Sequence, residues 1–139
     1  MFKKTKLLLS LALLFCWISG PASAAPKTIK LKVTFVSAEL IRNDHVGNEW
    51  STSASVNQKR LTEGSGIHLT IKSTDSLKIA AEAAELDKIP DRGSGTISLK
   101  ASSVTKSVTR SVNVVVKENR GRYSGNTAEW KFTFKIAKA

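Results

Sequence analysis

Three carboxylates fall within seven residues of one segment, which reads A-E-L-D-K-I-P-D-R-G-S-G-T-I-S-L from residue 84 to residue 99. They are Glu85, Asp87 and Asp91. Carboxylates crowded onto one turn repel each other unless a hard cation lies between them, and proteins bind Ca²⁺ with oxygen ligands of this kind. The segment therefore predicts a Ca²⁺ site. The alternative is a solvated loop whose acids cap turns and pair with Lys88 and Arg92.

Strands on both sides must position this acidic segment. Small and apolar residues occupy every second position from Leu77 to Ala83, and the same alternation resumes at Ile97 and Leu99. Alternation at period two is typical of half-buried strands, and Pro90 with the glycines that follow it indicates a loop. The acids are thus expected on a turn that is held between two strands.

A second loop carries positive charge. Arg120, Arg122 and Tyr123 lie in the segment E-N-R-G-R-Y-S-G-N-T, from Glu118 to Thr127. Guanidinium groups bind phosphate in a bidentate manner and a tyrosine adds an amphipathic contact, so these three residues predict an anion-binding site. The alternative is an ordinary solvated hairpin turn. In an antiparallel chain of eight strands, strand parity places this loop at the same end as the acidic segment.

The rest of the chain predicts strands almost throughout, because one-sided alternation recurs in short segments separated by turn residues, and no window shows the helical period. Seven to eight antiparallel strands with one apolar face each are buried economically in a two-sheet β-sandwich, so the predicted fold class is all-β. Trp130, Phe132 and Phe134 are expected in or near its core. The predicted strand segments are 29–35, 50–56, 60–63, 67–71, 77–83, 96–101, 108–116 and 130–136.

Residues 1–24 have the features of a signal peptide. Three lysines precede a short apolar stretch, and Ala22-Ser23-Ala24 offers a cleavage pattern of small residues. The protein is therefore predicted to be secreted, with residues 25–139 as a single domain. The only cysteine, Cys16, lies in the leader, so burial or bound metal must stabilise the exported domain without disulfides. Such export suits a Gram-positive bacterium.

The chain is basic, with 22 Lys and Arg against 11 Asp and Glu and a formal net charge of +11. A basic secreted protein is attracted to anionic partners such as phospholipid head groups, wall polymers or extracellular nucleic acid. Nucleic acid is the least favoured partner because no aromatic residues are interleaved with the lysines for base stacking. Lysine on polar strand faces also protects sheet edges from pairing with other chains. Solvent-facing strand positions and sheet edges, where lysine is common, account in this way for Lys30, Lys32, Lys72, Lys78, Lys100, Lys117, Lys131 and Lys135.

Several segments resemble the C2 family of calcium- and phospholipid-binding domains. The strand from Ile29 to Leu40 is similar to the one that opens the calcium end of that family, and N-D-H-V-G-N-E-W at residues 43–50 is similar to its first acidic loop. The later segment E-L-D-K-I-P-D-R-G-S-G-T-I resembles its third loop. The resemblance implies a C2-like sandwich in the circularly permuted form, since the acidic loops would join strands one to two and five to six.

The same resemblance implies a set of Ca²⁺ ligands. Asp44 and Glu49 match the first acidic loop, and Glu85, Asp87 and Asp91 match the later one. Glu85 stands where the family usually has aspartate, and the interval to Asp91 is shorter than is common. Both a Ca²⁺-dependent and a Ca²⁺-degenerate form of the site therefore remain open.

The residue types leave little chemistry for an enzyme, and no catalytic residue is predicted. His45 and His68 are the only histidines, which argues against a Cys/His zinc cluster and a Ser-His-Asp triad. Two functions remain for a domain that we expect to be monomeric. The first is a secreted C2-like module that docks on anionic membrane or wall polymer. The second is a secreted structural or protein-interaction sandwich without metal dependence.

Overall fold

The computed structural model describes residues 20–139, and residues 1–19, which hold most of the predicted signal peptide, lie outside the described residues. Residues 20–27 are exposed and have no regular secondary structure. A short 3₁₀ turn at Ala101–Ser103 ends the segment predicted as the sixth strand. No helix in the described part of the chain is long and apolar enough to span a membrane. The strands are β1 (Thr28–Asn43), β2 (Trp50–Val56), β3 (Lys59–Leu61), β4 (Gly66–Lys72), β5 (Ser76–Glu85), β6 (Asp91–Lys100), β7 (Val108–Lys117) and β8 (Thr127–Lys138).

The eight strands form two four-stranded sheets, with the order β4-β1-β8-β7 in the first sheet and β3-β2-β5-β6 in the second sheet. Every pairing within them is antiparallel. This confirms the predicted all-β, two-sheet sandwich. Asn57 and Gln58 form the two-residue turn between β2 and β3, where both adopt positive φ angles, of 45° and 67°. Such a left-handed pair matches the twist of the strands it joins.

Alternate side chains of both sheets meet between them and form one core. The Phe35 ring centroid lies 5.8 Å from that of Phe132 and 5.3 Å from that of Phe134. Phe132 and Phe134 are fully buried, and the half-buried Trp130 packs against the same core. The predicted position of these three aromatic residues is therefore confirmed.

Strand β1 is longer than its alternation indicates. Alternate residues are buried only as far as Phe35, but the strand continues to Asn43 and carries the chain to the first acidic loop. Register shifts occur between Phe35 and Ser37 and between Leu40 and Arg42, both against β8. A bulge adds one residue to one strand and shifts the phase of the side chains that follow. The period-two pattern is therefore lost while the strand itself continues.

The edge strands β6 and β7 belong to different sheets but approach each other closely. A Cβ atom on Gly95 would lie 2.8 Å from the Asn113 backbone oxygen, and one on Gly93 would overlap the Val115 carbonyl. These glycines, which were expected in a loop, lie within β6 and permit this close approach of two backbones. The approach places the start of β6, with Asp91, beside the end of β7.

Candidate functional site

Three loops meet at one end of the sandwich, which we call the loop end. They are the β1–β2 loop (residues 44–49), the β5–β6 loop (86–90) and the β7–β8 loop (118–126). The amide of Leu86 donates to the Glu49 carbonyl at 2.6 Å, and Arg120 Nη2 donates to the Ile89 carbonyl at 2.7 Å. These bonds confirm that the arginine loop lies at the same end as both acidic loops.

Three buried carboxylates lie at the loop end: Glu85, Asp91 and Glu118 are 6%, 1% and 8% exposed. Asn119 Nδ2 donates to Asp91 Oδ1 at 2.8 Å, and Arg120 Nη2 lies 4.0 Å from the same oxygen. Glu118 Oε1 accepts the backbone amide of Arg120 at 3.0 Å. The β7–β8 loop therefore supplies polar partners to two buried acids. One is Asp91, at the start of β6, and the other is Glu118, the first residue of the loop itself.

The Glu85 side chain lies against the β1–β2 loop. A Cβ atom on Gly47 would overlap the Glu85 carboxylate, so a side chain at this position would displace Glu85 from its place. Within the described residues, Glu85 Oε2 and Asp91 Oδ2 are buried without a hydrogen-bond partner. An unpartnered buried carboxylate oxygen costs free energy, which a bound cation or a proton would reduce.

The five acids predicted as Ca²⁺ ligands do not form one ligand set. Asp44, Glu49 and Asp87 are exposed, whereas Glu85 and Asp91 are buried. Asp87 Oδ1 accepts a backbone amide of its own loop at 2.9 Å. Among the described residues, no group of three or more His, Cys, Asp or Glu side chains is arranged to hold a metal ion. The acids as placed do not fit a shared Ca²⁺ site, and Ca²⁺ binding stays a prediction.

Burial raises the pKa of Glu85 above its ordinary value of 4.5, because the buried carboxylate loses hydration. The negative charges of Asp87, Glu118 and Glu49 raise this pKa further, while a hydrogen bond from the Glu49 backbone opposes the rise. The folded protein thus binds a proton at Glu85 more tightly than the unfolded chain does. The contribution of Glu85 to the free energy of unfolding therefore falls as the pH rises from 4.5 through the raised pKa.

We expect Glu85→Gln to remove this contribution. Glutamine keeps the size of the side chain and loses its charge, so the variant should be more stable than wild type at neutral pH. The difference should shrink as the pH falls toward 4.5. Urea unfolding between about pH 4 and pH 8 measures this difference in the free energy of unfolding between the variant and wild type. Glu39→Gln, an exposed carboxylate of β1, is the control, and a Glu85→Gln variant less stable than wild type at neutral pH would contradict the prediction.

The outer surface of the loop end combines positive charge with exposed apolar side chains. Leu86, Ile89 and Tyr123 are 43%, 56% and 42% exposed. A cleft of about 510 Å³ opens between the β5–β6 and β7–β8 loops. It is lined by Lys88, Ile89, Arg120, Gly121, Arg122 and Tyr123 together with Asp87 and Glu118.

Tyr123 joins two of the loops at the rim of this cleft. Its ring stacks on that of His45 in the β1–β2 loop, with centroids 5.0 Å apart, and the Cζ atom of Arg122 lies 5.7 Å from the Tyr123 centroid. His45 Nδ1 lies 3.2 Å from Asp44 Oδ1. These two contacts orient the tyrosine ring although it is exposed.

Residue patterns alone did not single out Leu86, Ile89 or Glu118. The sequence did contain an indication for Leu86 and Ile89. Apolar residues in a short loop between two strands cannot reach the core, so their exposure could have been predicted. Glu118 carried no such signal, since its burial depends on the fold of the β7–β8 loop.

No protein-family model matches this chain, and no curated protein sequence matches it. The class of protein is therefore defined by its architecture, a two-sheet antiparallel β-sandwich whose β1–β2, β5–β6 and β7–β8 loops gather at one end. That architecture is consistent with a C2-like fold.

Proposed function

We propose that this protein is a secreted C2-like binding module that docks on an anionic membrane or cell-wall surface through its loop end. The observation that carries the proposal is the position of positive and apolar side chains around one cleft. Lys88 and Arg122 supply the charge, and Leu86 and Ile89 supply exposed apolar surface. Cationic groups beside apolar ones match a surface whose anionic groups overlie acyl chains.

The placement of the acidic loops supports the C2-like part of this proposal. The β1–β2 loop and the β5–β6 loop lie side by side, joined by the hydrogen bond from Leu86 to Glu49. The resemblance to C2 domains implies that these two loops share one end in the permuted form of the fold. The two four-stranded antiparallel sheets are consistent with a C2-like sandwich.

Arg122 is better placed than Arg120 to contact an external phosphate. Arg120 already donates to the Ile89 carbonyl and lies beside Asp91. Arg122 forms no ion pair within residues 20–139, and its guanidinium lies near the exposed Tyr123 ring. Loss of Arg122 should therefore weaken docking without loosening the loops.

Sedimentation with phosphatidylglycerol vesicles tests this proposal. We expect Arg122→Ala to lower the partition coefficient about fivefold, since one basic residue near an anionic membrane contributes about 1 kcal/mol. Ile89→Ser should also lower it, through lost apolar contact. Arg60→Ala removes the same charge from an exposed site on β3 and should bind like wild type.

Equal losses in the Arg60 and Arg122 variants would mean that net charge attracts the protein without a site. A parallel assay with phosphate-rich wall polymer separates the two kinds of surface. A wild-type protein that binds neither surface would favour the alternative function, a protein-interaction sandwich.

Ca²⁺ dependence is a second candidate property, favoured by the unpartnered buried oxygens of Glu85 and Asp91. A cation bound to the folded state alone stabilises it by about 2.7 kcal/mol at a hundredfold excess over its Kd. Extracellular modules bind Ca²⁺ at about 10⁻⁴ to 10⁻³ M, so melting in millimolar Ca²⁺ and in chelator is the test. If Glu85 and Asp91 bind the cation without the three exposed acids, Ca²⁺ raises the melting temperature of wild type and not that of Glu85→Gln. An unchanged wild-type melting temperature would leave the solvated-loop alternative.

A further inference from the structure

Four lysines lie together on the outer face of the first sheet, and we call them the lysine row. Lys30 and Lys32 are on β1, Lys72 is on β4 and Lys135 is on β8, and all four are exposed. The residues that alternate with them, such as Leu31, are buried or half-buried. Since successive side chains of a strand point to opposite faces, the four lysines point away from the core.

Strand register makes each lysine of the row a neighbour of the next. By the pairing of β1 with β4, Lys72 lies diagonally across from Lys30. Lys32 follows Lys30 two residues later on β1, and by the pairing of β1 with β8, Lys135 lies diagonally across from Lys32. Neighbours of these kinds on one sheet face are about 7 Å apart. The row therefore crosses three strands at nearly regular intervals.

Protection of sheet edges does not explain this row. Strands β1 and β8 are the two inner strands of the first sheet, so edge protection does not apply to Lys30, Lys32 and Lys135, which occupy solvent-facing positions of inner strands. The cross-strand partners of the row are threonine, alanine and histidine. None of the four lysines forms an ion pair within the described residues. Neighbouring like charges on one sheet face destabilise it, and an anionic partner would relieve that repulsion.

We propose that the lysine row binds a linear phosphodiester polymer of the kind found in cell walls, with one phosphate at each lysine. Evenly spaced point charges suit a flexible chain that carries one negative charge per repeat. A flat bilayer fits less well, because the sheet is twisted and, among the described residues, the row has a single exposed large apolar side chain, Val36, near it on β1. Single-stranded nucleic acid fits less well, because the cross-strand partners of the row offer one ring, that of His68 opposite Lys32, and successive bases need several rings for stacking.

The lysine row is separate from the loop end. Lys32 lies eleven residues before Asn43, where β1 reaches the loop end, and this corresponds to about 35 Å of extended strand. That separation is several times the Debye length of about 8 Å at physiological ionic strength. A charge change in the row should therefore act little on the loop end, and the two contacts can be tested independently.

Binding of fluorescent poly(glycerol phosphate) chains, measured by anisotropy over a range of salt concentrations, tests the row. We expect Lys32→Gln/Lys135→Gln to weaken binding and to reduce the slope of log K against log salt by about 1.4, since each lost phosphate contact removes about 0.7. The matched control is Lys78→Gln/Lys100→Gln, which removes the same charge from two diagonal neighbours on the second sheet. All four positions are exposed and each double variant removes two neighbouring like charges, so neither should melt below wild type.

Equal weakening by the two double variants would overturn the proposal, because net charge alone would then account for binding. Tighter binding of poly(dT) than of poly(glycerol phosphate) would also overturn it, by assigning the row to nucleic acid. Arg122→Ala should lower vesicle binding about fivefold, and in that background Lys32→Gln/Lys135→Gln should weaken polymer binding as much as it does in wild type. Failure of the loop-end proposal would therefore leave the result for the lysine row unchanged.

Discussion

Replacing Phe132 by alanine is expected to lower the free energy of unfolding by about 3 to 5 kcal/mol, the range for truncating a large aromatic in a packed core. Phe132 is fully buried on β8, an inner strand of the first sheet. Its ring centroid lies 5.8 Å from that of Phe35 and 6.4 Å from that of Trp130. Truncation removes both contacts and leaves a cavity that two paired sheets cannot fully collapse.

Urea unfolding followed by tryptophan fluorescence and circular dichroism measures this loss. Val115→Ala is the control, because Val115 is 52% exposed on the edge strand β7. That variant should stay within about 0.5 kcal/mol of wild type. A Phe132→Ala variant as stable as wild type, or a substantial helical signal, would contradict the all-β core.

Replacing Arg120 by alanine is expected to cost about 1 to 3 kcal/mol, because its guanidinium holds two loops together. It donates to the Ile89 carbonyl at 2.7 Å and lies 4.0 Å from Asp91 Oδ1. Without it, the buried Asp91 carboxylate keeps Asn119 as its side-chain partner. A buried charge that loses its counter-charge is strongly destabilising, although solvent at the half-exposed Arg120 moderates the effect.

Asp91→Asn in the Arg120→Ala background should recover part of this loss, because a buried amide costs less than an uncompensated carboxylate. Wild type, the two single variants and the double variant form a cycle whose coupling energy is expected at about 0.5 to 3 kcal/mol. Arg122→Ala, from the same loop, is the control and should leave the free energy of unfolding within about 0.5 kcal/mol of wild type. Strictly additive effects of the Arg120 and Asp91 changes would show that the two residues are not coupled.

The two arginines of the β7–β8 loop thus differ in role, although they are equivalent in residue type. Arg120→Ala should change the shape of the loop end as well as its charge, because it removes the hydrogen bond to Ile89. Arg122→Ala should remove a charge and its contact with the Tyr123 ring, but no hydrogen bond between the loops that the structure describes. Vesicle binding by the Arg122 variant therefore reports on the phosphate contact more directly.

Alternation by itself determined most of the strands of this protein. A strand with one buried face repeats every two residues, so β5 and β8 are visible in the spacing of Leu77, Ile79, Phe132 and Phe134. The gathering of three loops at one end also followed from the sequence, because parity is forced once consecutive strands run antiparallel. These features depend only on local pattern and chain order, which a single sequence contains.

Only the tertiary structure shows which distant residues contact each other and which residues lie on the same face of a sheet. Asn119 and Asp91 are 28 residues apart, and their contact depends on the close approach of β6 and β7. The second half of β1 could not be predicted from alternation, because the bulges in this strand shift the phase of its side chains against β8. The alternation around Lys30 and Lys32 would be the same on an edge strand as on an inner one. Strand order arises from pairing between distant segments, so only the folded sheet shows that these lysines form a row.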